Sequence, residues 1–338
     1  MILLWILLLS VSFYILSIIC NRYFTPSLQR IGKRWDLSSE ATGATLMALG
    51  SSAPELSISL IALFKVGEHA ELGTGNIVGS AIFQFLVIIG AVALIKEVHL
   101  NWKPFLRDMT FYTIAVILLV FFLFDGTIQL YEPIVFLSVY VAYVFIVINS
   151  KKILGYKDPV KNPPEGEGPH SIIKTFVKNH PYVVFLMSVA AIGIVSWFLV
   201  ESAINIAHFA GIPEVIIAIL IVAAGNSIPD LLSSIKAARE TMPDMAVSNA
   251  IGSNNFDIMF GLGFPWLIAL FITQKPIMIA SKNLFNTALI LLGTVILTFV
   301  ILIIKKWRLT KSTGYLLLGS YAVYVIIIIG GGLNWWPF

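Results

Sequence analysis

Two stretches of this sequence repeat each other: residues 48–56 read ALGSSAPEL, and residues 223–231 read AAGNSIPDL. Five of the nine positions are identical, and an acidic residue occupies the eighth position of both. A second pair follows in the same order, since residues 76–84 read NIVGSAIFQ and residues 249–257 read NAIGSNNFD. Chance likeness between apolar helices explains shared Leu and Ile, but not shared Asn, Ser, Pro, Gly and acidic positions in register. The chain therefore contains an internal repeat.

The composition around these repeats is that of a membrane protein. The chain has 338 residues, of which 58% are hydrophobic and 12% charged, and its mean hydropathy is +0.91. A soluble domain is about 25% charged, so the composition argues against a soluble enzyme, a nucleic-acid binder and a disordered chain. The Lys and Arg residues of the chain lie between apolar runs and form no basic face of the kind that binds nucleic acid. The single cysteine, Cys20, excludes an intrachain disulfide and a cysteine-based metal site.

Ten apolar runs are candidates for membrane spans, each of which needs roughly 20 mostly apolar residues. The predicted fold class is an all-α integral membrane protein with ten transmembrane helices. The predicted spans are residues 2–20, 37–64, 73–95, 109–124, 133–148, 182–209, 213–235, 245–271, 284–304 and 313–330. The fourth and fifth are short.

The basic residues predict the orientation of these spans. Alternate loops, beginning with the first, carry 19 of the 22 Lys and Arg residues, and the opposite side has only Lys65, Lys275 and Lys282. Short loops rich in Lys and Arg stay in the cytoplasm. We therefore predict a multi-pass protein of the cell membrane with both termini extracellular and a cytoplasmic central loop.

The longest loop predicts a division into two halves. Residues 150–181 contain KDPVKNPPEGEGPH, a composition that cannot form a core. We interpret this segment as a cytoplasmic linker between a first five-helix repeat, residues 1–149, and a second one, residues 182–338. Because each half has an odd number of spans, the second half enters the membrane from the opposite side. Inverted-topology repeats are the architecture of many secondary transporters.

Three acidic residues fall near the centres of predicted spans: Glu55, Asp230 and Asp257. A charge at that depth costs about 2.5–3.5 kcal/mol on insertion scales, and an intramembrane acid indicates function. No basic residue lies near a span centre, so a bound cation or a proton must compensate the negative charge.

The neighbours of these acids favour a metal cation. Pro54 and Pro229 each precede an acid and free the carbonyl four residues back, at Gly50 and Gly225, so we predict a kink in both helices. Carbonyls beside carboxylates are the oxygen ligands that calcium takes, about 6–8 at a time. The sequence lacks the His or Cys set typical of zinc or copper sites.

The second segment of each repeat adds a polar row. Ser80 and Gln84 are four residues apart and share one helix face, as do Ser253 and Asp257. The glycine directly before each serine predicts a close helix approach in both repeats.

These paired motifs, GSSAPE with GNIVGSAIFQ and GNSIPD with NAIGSNNFD, resemble the two alpha repeats of the calcium/cation antiporter superfamily. The second repeat, with IPDLL, DMAVSNAIGS, FD and FPW, is most similar to potassium-dependent sodium/calcium exchangers. The resemblance covers roughly residues 41–90 and 215–266. It implies an electrogenic, alternating-access antiporter with no cofactor, in which calcium leaves as sodium enters.

Position by position, the resemblance implies that Glu55 and Asp230 are the central calcium-binding carboxylates and that Ser51 and Asn226 contribute backbone carbonyls. The implied sodium ligands are Ala48, Ser52, Ser80, Gln84, Ala223, Ser227, Ser253 and Asp257. The positions tied to potassium dependence are Asn254 and Asp257.

Three residues depart from the family pattern. Asn226 stands where Thr or Ser is usual, Gln84 where Asn is usual, and Asn255 where an apolar residue is usual. These departures bear on the sodium stoichiometry and the potassium requirement, which stay open, more than on the calcium site.

The main alternative is a calcium/proton antiporter on the same fold. An intramembrane aspartyl protease using Asp230 and Asp257 is disfavoured, because the sequence has no GxGD element and a protease would not require Glu55. A passive channel is also disfavoured, because channels usually reuse identical subunits rather than one buried asymmetric site. The predicted partners are transported cations and the lipid bilayer, with no nucleic acid; the oligomeric state stays open, and a monomer is compatible with the sequence. For Glu201, Asn205 and His208, near the outer end of the sixth span, we favour interface snorkelling over an entrance.

Overall fold

A computed structural model describes residues 2–37, 42–65, 69–153, 155, 177, 179–239, 243–279 and 281–332. Within that part, nine helices are long and apolar enough to cross a membrane, and one strongly bent helix pair supplies a tenth span. The prediction of an all-α membrane protein with ten spans is confirmed. Most of the predicted linker, residues 150–181, lies outside the described residues.

The helices begin and end close to the limits of the apolar runs, because in lipid the backbone polar groups must be satisfied within the segment. In chain order they are α1 Ile2–Arg34, α2 Thr45–Ser51, α3 Ala53–Phe64, α4 Ala70–Ile95, α5 Trp102–Phe122, α6 Tyr131–Ile148, α7 Ser150–Ile153, α8 Pro181–Ala210, α9 Glu214–Arg239, α10 Pro243–Thr273, α11 Lys282–Ile304 and α12 Lys311–Gly332.

Two predicted spans differ in extent from the observed helices. Helix α1 continues to Arg34, so the basic residues expected in the first loop lie on its last turns. That end of the helix is amphipathic: Leu28 and Ile31 are buried, whereas Lys33 and Arg34 are exposed. Helix α5 starts at Trp102, seven residues before the predicted span, because its first two turns are polar and invisible to an apolar window.

The internal repeat extends to the details of the backbone. The π-helical turns Gly43–Met47 and Ala218–Val222 begin 175 residues apart, which is the offset of the first repeated segment. The π-helical turns Gln84–Ile88 and Asp257–Leu262 begin 173 residues apart, which is the offset of the second. Such turns inside α-helices often mark functional sites. Matching turns in the two halves agree with an inverted repeat.

Four two-residue strands connect the halves. They are β1 Val98–His99, β2 Thr127–Ile128, β3 Ile277–Met278 and β4 Arg308–Leu309. Strand β1 pairs antiparallel with β4, and β2 with β3. Since β1 and β3 follow the third span of their halves, and β2 and β4 join the fourth to the fifth, each pairing takes one strand from each half. A pseudo-two-fold relation between the halves produces this pattern.

The repeated segments lie at the centre of the bundle. Helix α4 is mostly buried in the protein and α10 is more than half buried, whereas α1 is largely exposed. Helix α1 packs along α8. The segments that carry the polar motifs are therefore shielded from lipid by the surrounding helices.

The first predicted kink is present as a break between two helices. Helices α2 and α3 meet at Ser52 with a bend of 68°, and Pro54 lies in the first turn of α3, where its missing N–H costs nothing. Helix α9 instead runs without a break through Pro229, so the second half has no interruption that matches the one at Ser52, and the kink there stays a prediction. A membrane helix can carry an interior proline when neighbouring groups and local adjustments satisfy the freed carbonyl.

Candidate cation-binding site

Three carboxylates lie together inside the bundle. Glu55, in the first turn of α3, is only 2% exposed. It lies within electrostatic range of Asp257, at the start of the π-helical turn in α10, and of Asp230 in α9. Among the described residues, none of the three forms an ion pair with Lys, Arg or His. The protein thus concentrates negative charge without supplying a compensating side chain.

A pair of serines joins the two repeats beside Glu55. The hydroxyl oxygens of Ser80 in α4 and Ser227 in α9 are 2.8 Å apart. Ser80 also lies 3.5 Å from Glu55 Oε1, to which it donates, and accepts from Gln84 Nε2 at 3.4 Å. Ser227 donates to the carbonyl of Ala223 at 2.9 Å. Predicted ligands from both halves therefore meet at one place.

Two further contacts also join one half of the protein to the other. The hydroxyls of Ser51 in α2 and Ser253 in α10 are 3.2 Å apart, and Ser51 donates to the carbonyl of Ala48 at 3.1 Å. Asn226 Nδ2 donates to Asn76 Oδ1 at 3.1 Å. The first segment of each repeat thus contacts the second segment of the other, and the predicted site is assembled by both halves.

Many oxygen atoms around these contacts are buried without a hydrogen-bond partner among the described residues. They are Glu55 Oε2, Ser52 Oγ, Gln84 Oε1, Asn226 Oδ1, Asn254 Oδ1, and Asp257 Oδ1 and Oδ2. A buried polar atom left unsatisfied costs about 1–3 kcal/mol. Carboxylate, amide and hydroxyl oxygens are ligands of hard cations such as calcium, so this donor set fits the predicted ions.

The site differs from a compact metal centre. In the part of the chain that the structure describes, no group of three or more His, Cys, Asp and Glu side chains is placed to hold one metal ion. The carboxylates are instead separated by serine hydroxyls, carboxamides and backbone carbonyls. An arrangement of this kind offers charged and neutral oxygen ligands, spread over two repeats.

Some residues near the site were missed at the level of sequence. Asn76 is fully buried, and its identity with Asn249 in the repeat was the available signal. Asn255 was noted as unusual but given no role; its Nδ2 donates to the carbonyl of Asp108 in α5 at 3.0 Å. Arg107 Nε donates to the Asp108 carboxylate at 2.7 Å. Asn255 thus holds α10 against α5, a contact that no local pattern indicates.

Helix α1 contacts the glycine of the first repeated segment in both halves. A Cβ at Gly225 would lie 2.4 Å from two ring atoms of Phe13, and a Cβ at Gly50 would lie 2.9 Å from Thr25 Oγ1. Side chains of α1 thus fill the space that the two glycines leave, so the first span supports the site from outside the repeats.

The two halves of the site differ in exposure. Glu55 and Asn76 of the first repeat are buried, whereas their counterparts Asp230 and Asn249 are half-buried and exposed, respectively. The exposed residues lie between the site and the end of α9 that carries Lys236 and Arg239. The second-repeat face of the site is therefore less buried than the first-repeat face.

The glycines show the same asymmetry. A Cβ at Gly79 would lie 2.3 Å from the carbonyl oxygen of Ile219, so the predicted close helix approach is confirmed there. Among the described residues nothing lies within 4 Å of a Cβ added at Gly252, so they do not bear out the matching prediction. In the second repeat the equivalent neighbour is α2, which α10 contacts through Ser51 and Ser253 rather than at Gly252.

At the opposite end, charged side chains join the α3–α4 connection to the second half. Lys65 pairs with Glu201 of α8, and its ammonium lies 4.2 Å from the centre of the Trp197 ring. His69 Nδ1 is 2.6 Å from Glu214 Oε2 at the start of α9. Glu201, for which snorkelling was favoured, is thus engaged in an ion pair. We name the Lys65–Glu201 and His69–Glu214 pairs the end cluster.

Comparisons with known proteins agree with this architecture. The family described as sodium/calcium exchanger protein matches residues 5–149 and 180–330. Human sodium/potassium/calcium exchanger 4 is 26% identical over 94% of this chain and 79% of its own length. Sodium/potassium/calcium exchanger 2 of Gallus gallus is also 26% identical, over 94% of this chain and 75% of its own.

Two solved structures share the fold. The H+/Ca2+ exchanger CAX superposes with a TM-score of 0.71 at 16% identity, covering 97% of this chain and 85% of that one. The sodium-calcium exchanger NCX_Mj superposes with a TM-score of 0.62 at 23% identity, covering 96% and 99%. The family match spans most of the chain and contains all the residues of the candidate site. The chain belongs to the sodium/calcium exchanger protein family.

Proposed function

We propose that this protein is an antiporter that exchanges sodium entry for calcium exit by alternating access at Glu55 and Asp230. The observation that carries the proposal is the contact between Ser80 and Ser227 beside Glu55, which unites oxygen donors of both repeats around a buried carboxylate. Membrane antiporters with inverted repeats bind their ions near mid-depth, at the interface between the repeats.

In this proposal the calcium ligands are the carboxylates of Glu55 and Asp230 with the backbone carbonyls of Ser51 and Asn226. Two carboxylates match the double charge of calcium, and carbonyl oxygens complete its coordination. The proposed sodium ligands are Ala48, Ser52, Ser80, Gln84, Ala223, Ser227, Ser253 and Asp257. The proposed potassium positions are Asn254 and Asp257.

The buried charge explains why the exchange would be coupled. Unpaired carboxylates inside the bundle are costly, so a closed intermediate without ions is disfavoured. Calcium and sodium both neutralise Glu55 and Asp230, and the same oxygens cannot serve both ions at once. Binding of one ion therefore displaces the other, and only a loaded site passes through the closed state.

The asymmetry of exposure supports a proposal about access. If the positive-inside rule applies, the end with Lys236 and Arg239 faces the cytoplasm. The exposure of Asp230 and Asn249 then corresponds to a site open to the cytoplasm, and the end cluster corresponds to a closed extracellular side. Both termini would be extracellular, in the cell membrane.

The names of the relatives support potassium as an additional cation, since the matched human and chicken proteins are sodium/potassium/calcium exchangers. We further propose that transport needs no cofactor and no catalysis. One chain contains both repeats, so a monomer in the bilayer would hold a complete site.

The second candidate is a calcium/proton antiporter. Protons could replace sodium at the same carboxylates, and the fold is shared with the H+/Ca2+ exchanger CAX, a likeness of fold alone. The neutral oxygens of Ser52, Gln84 and Ser253 favour sodium, because a proton needs no coordination shell.

The test is calcium flux into proteoliposomes that contain the purified protein and a calcium indicator. Sodium, potassium and pH gradients are imposed one at a time, with an ionophore holding the membrane potential. We expect calcium uptake when sodium is trapped inside and choline is outside. Uptake that follows the pH gradient and ignores sodium would support the proton antiporter instead, and absence of flux under every gradient would refute both proposals.

A further inference from the structure

Tyr112 lies at the middle of α5, outside both repeated segments, and is fully buried. Its hydroxyl has no hydrogen-bond partner among the described residues. Buried tyrosine hydroxyls usually find a partner because an unsatisfied one is costly. The position of this hydroxyl in the bundle indicates what it could bind.

The ring of Tyr112 stacks on Phe85, with centroids 5.0 Å apart and planes inclined by 11°. Phe85 directly follows Gln84, at the start of the π-helical turn of α4. The stack therefore holds Tyr112 against the turn that carries one of the predicted ligands.

The neighbouring helix places Tyr112 at the level of Asp257. The ends of α5 and α10 lead into the paired strands β2 and β3, so the two helices run in the same direction. Asn255 bonds to the carbonyl of Asp108 and sets their register. Tyr112 lies four residues beyond Asp108, and Asp257 lies two residues beyond Asn255. At 1.5 Å per residue, the levels of Tyr112 and Asp257 along the helix axes therefore differ by about 3 Å. The Asp257 carboxylate acts electrostatically on the Tyr112 hydroxyl.

Asn254 lies three residues before Asp257 on α10, which puts the two on neighbouring positions of the helix surface, and both polar atoms of its side chain are buried without a partner among the described residues. With Tyr112, these residues comprise one carboxylate, one carboxamide and one phenol. A single negative charge with neutral oxygens suits a monovalent cation, whereas calcium is better matched by two carboxylates.

We propose that the Tyr112 hydroxyl is a specificity-determining ligand of a monovalent-cation compartment shared with Asn254 and Asp257. The ligand class is a dehydrated sodium or potassium ion. The proposal deepens the proposed function and rests on it, since it assigns a residue outside the repeats to one of the exchanged ions.

The test compares Tyr112→Phe with Tyr324→Phe. The first substitution removes only the hydroxyl and keeps the stack on Phe85. The second removes a hydroxyl in α12 that is equally buried and unpartnered among the described residues but neighbours Tyr321. Thermal unfolding of the detergent-solubilised protein is followed while NaCl or KCl replaces choline chloride, and separately while calcium is added. Calcium flux in proteoliposomes is measured in parallel.

We expect Tyr112→Phe to weaken the apparent affinity for at least one monovalent cation about tenfold, with the calcium affinity unchanged. Tyr324→Phe should match the wild type in every titration. If Tyr112→Phe is not recovered folded, Tyr112→Leu removes the hydroxyl with a different side chain.

The proposal is overturned if the tyrosine variant titrates with both salts as the wild type does, if calcium affinity falls equally, or if Tyr324→Phe shows the same shift. Those outcomes leave the proposed function intact. A wild-type protein that is stabilised by neither sodium nor calcium, and that shows no flux, refutes the proposed function itself, and the Tyr112 proposal with it.

Discussion

The hydroxyl oxygens of Ser80 and Ser227 lie 2.8 Å apart and connect α4 of the first half to α9 of the second. Glu55 Oε1 lies 3.5 Å from the Ser80 hydroxyl, so the contact between the halves and the buried acid belong to one cluster of polar atoms. A cation bound by Glu55 would contact the serines of both halves. A relative movement of the halves would then change the ligands of the ion, which is the physical requirement for coupling binding to access.

The Glu55 carboxylate is expected to be indispensable. Glu55→Gln keeps the size of the side chain and removes its charge, and we expect sodium-driven calcium uptake to fall at least about 100-fold. The charge pair that Glu55 would form with a bound calcium ion is buried; removing one member of such a pair costs roughly 3–5 kcal/mol, and 1.4 kcal/mol is a factor of ten. Initial rates of uptake into proteoliposomes measure the effect.

The control is Glu97→Gln, at a carboxylate that is half exposed beside β1. It should transport as the wild type does. Retention of more than a tenth of the wild-type rate by Glu55→Gln would argue against a central role for this acid.

Asp257 is expected to govern the monovalent cation. Asp257→Asn leaves the fully buried side chain in place but removes its charge, three residues along α10 from Asn254. We expect the apparent affinity for sodium or potassium to fall at least about tenfold. The stimulation of calcium flux by potassium, measured over a range of concentrations, tests this. A wild-type protein indifferent to potassium would remove the potassium proposal and leave the calcium site standing.

The glycines of the two repeats should respond differently to the same change. Gly79→Ala places a methyl group 2.3 Å from the Ile219 carbonyl oxygen, and overpacking of this kind costs about 1–3 kcal/mol. Gly252→Ala meets open space and gains helix propensity of about 1 kcal/mol. We expect Gly79→Ala to lower the melting temperature and Gly252→Ala to keep or raise it.

Measuring transport by the two glycine variants distinguishes an effect on helix packing from an effect on alternating access. If α10 closes onto α2 in the other access state, as α4 does onto α9 here, the methyl group of Gly252→Ala opposes that closure and slows calcium flux in a stable protein. A Gly252→Ala protein with unchanged turnover would show that the second repeat does not undergo the closure seen in the first.

The end cluster should control access to the buried serine of α3, Ser59, which is 1% exposed. Glu201→Gln removes the partner of Lys65, a pair worth about 1 kcal/mol at most because Glu201 is partly exposed. We expect the fraction of molecules that are open at this end to rise by up to about fivefold. The measurement is the labelling rate of Ser59→Cys by an impermeant maleimide, in a chain whose buried Cys20 is replaced by Ala.

A charge exchange provides the control for this prediction. Lys65→Glu combined with Glu201→Lys should restore slow labelling, because it re-forms an ion pair with reversed polarity. Equal labelling rates in the presence and absence of the pair would mean that the end cluster does not hold this side closed.

Part of the site could be predicted because its signals are local. The positions of Glu55 and Asp230, and the helix faces of Ser80 and Ser253, follow from residue order and helical geometry alone. Asn255 and Tyr112 could not be given a role, because their surroundings come from α5, a helix without a repeated motif. That the chain breaks at Ser52 and continues as a helix through Pro229 could not be predicted, because neighbouring groups, not the proline itself, decide whether a membrane helix breaks.

The order of residues by itself determined the membrane class, the ten spans, the repeat and the family, since each depends on composition or on patterns within one segment. Only the tertiary structure decided how closely a neighbouring helix approaches each of two equivalent glycines. Gly79 and Gly252 occupy equivalent positions, yet one touches a neighbouring helix and the other faces open space. Two similar segments cannot encode that difference separately, because it arises from how the two halves are packed against each other in one conformation.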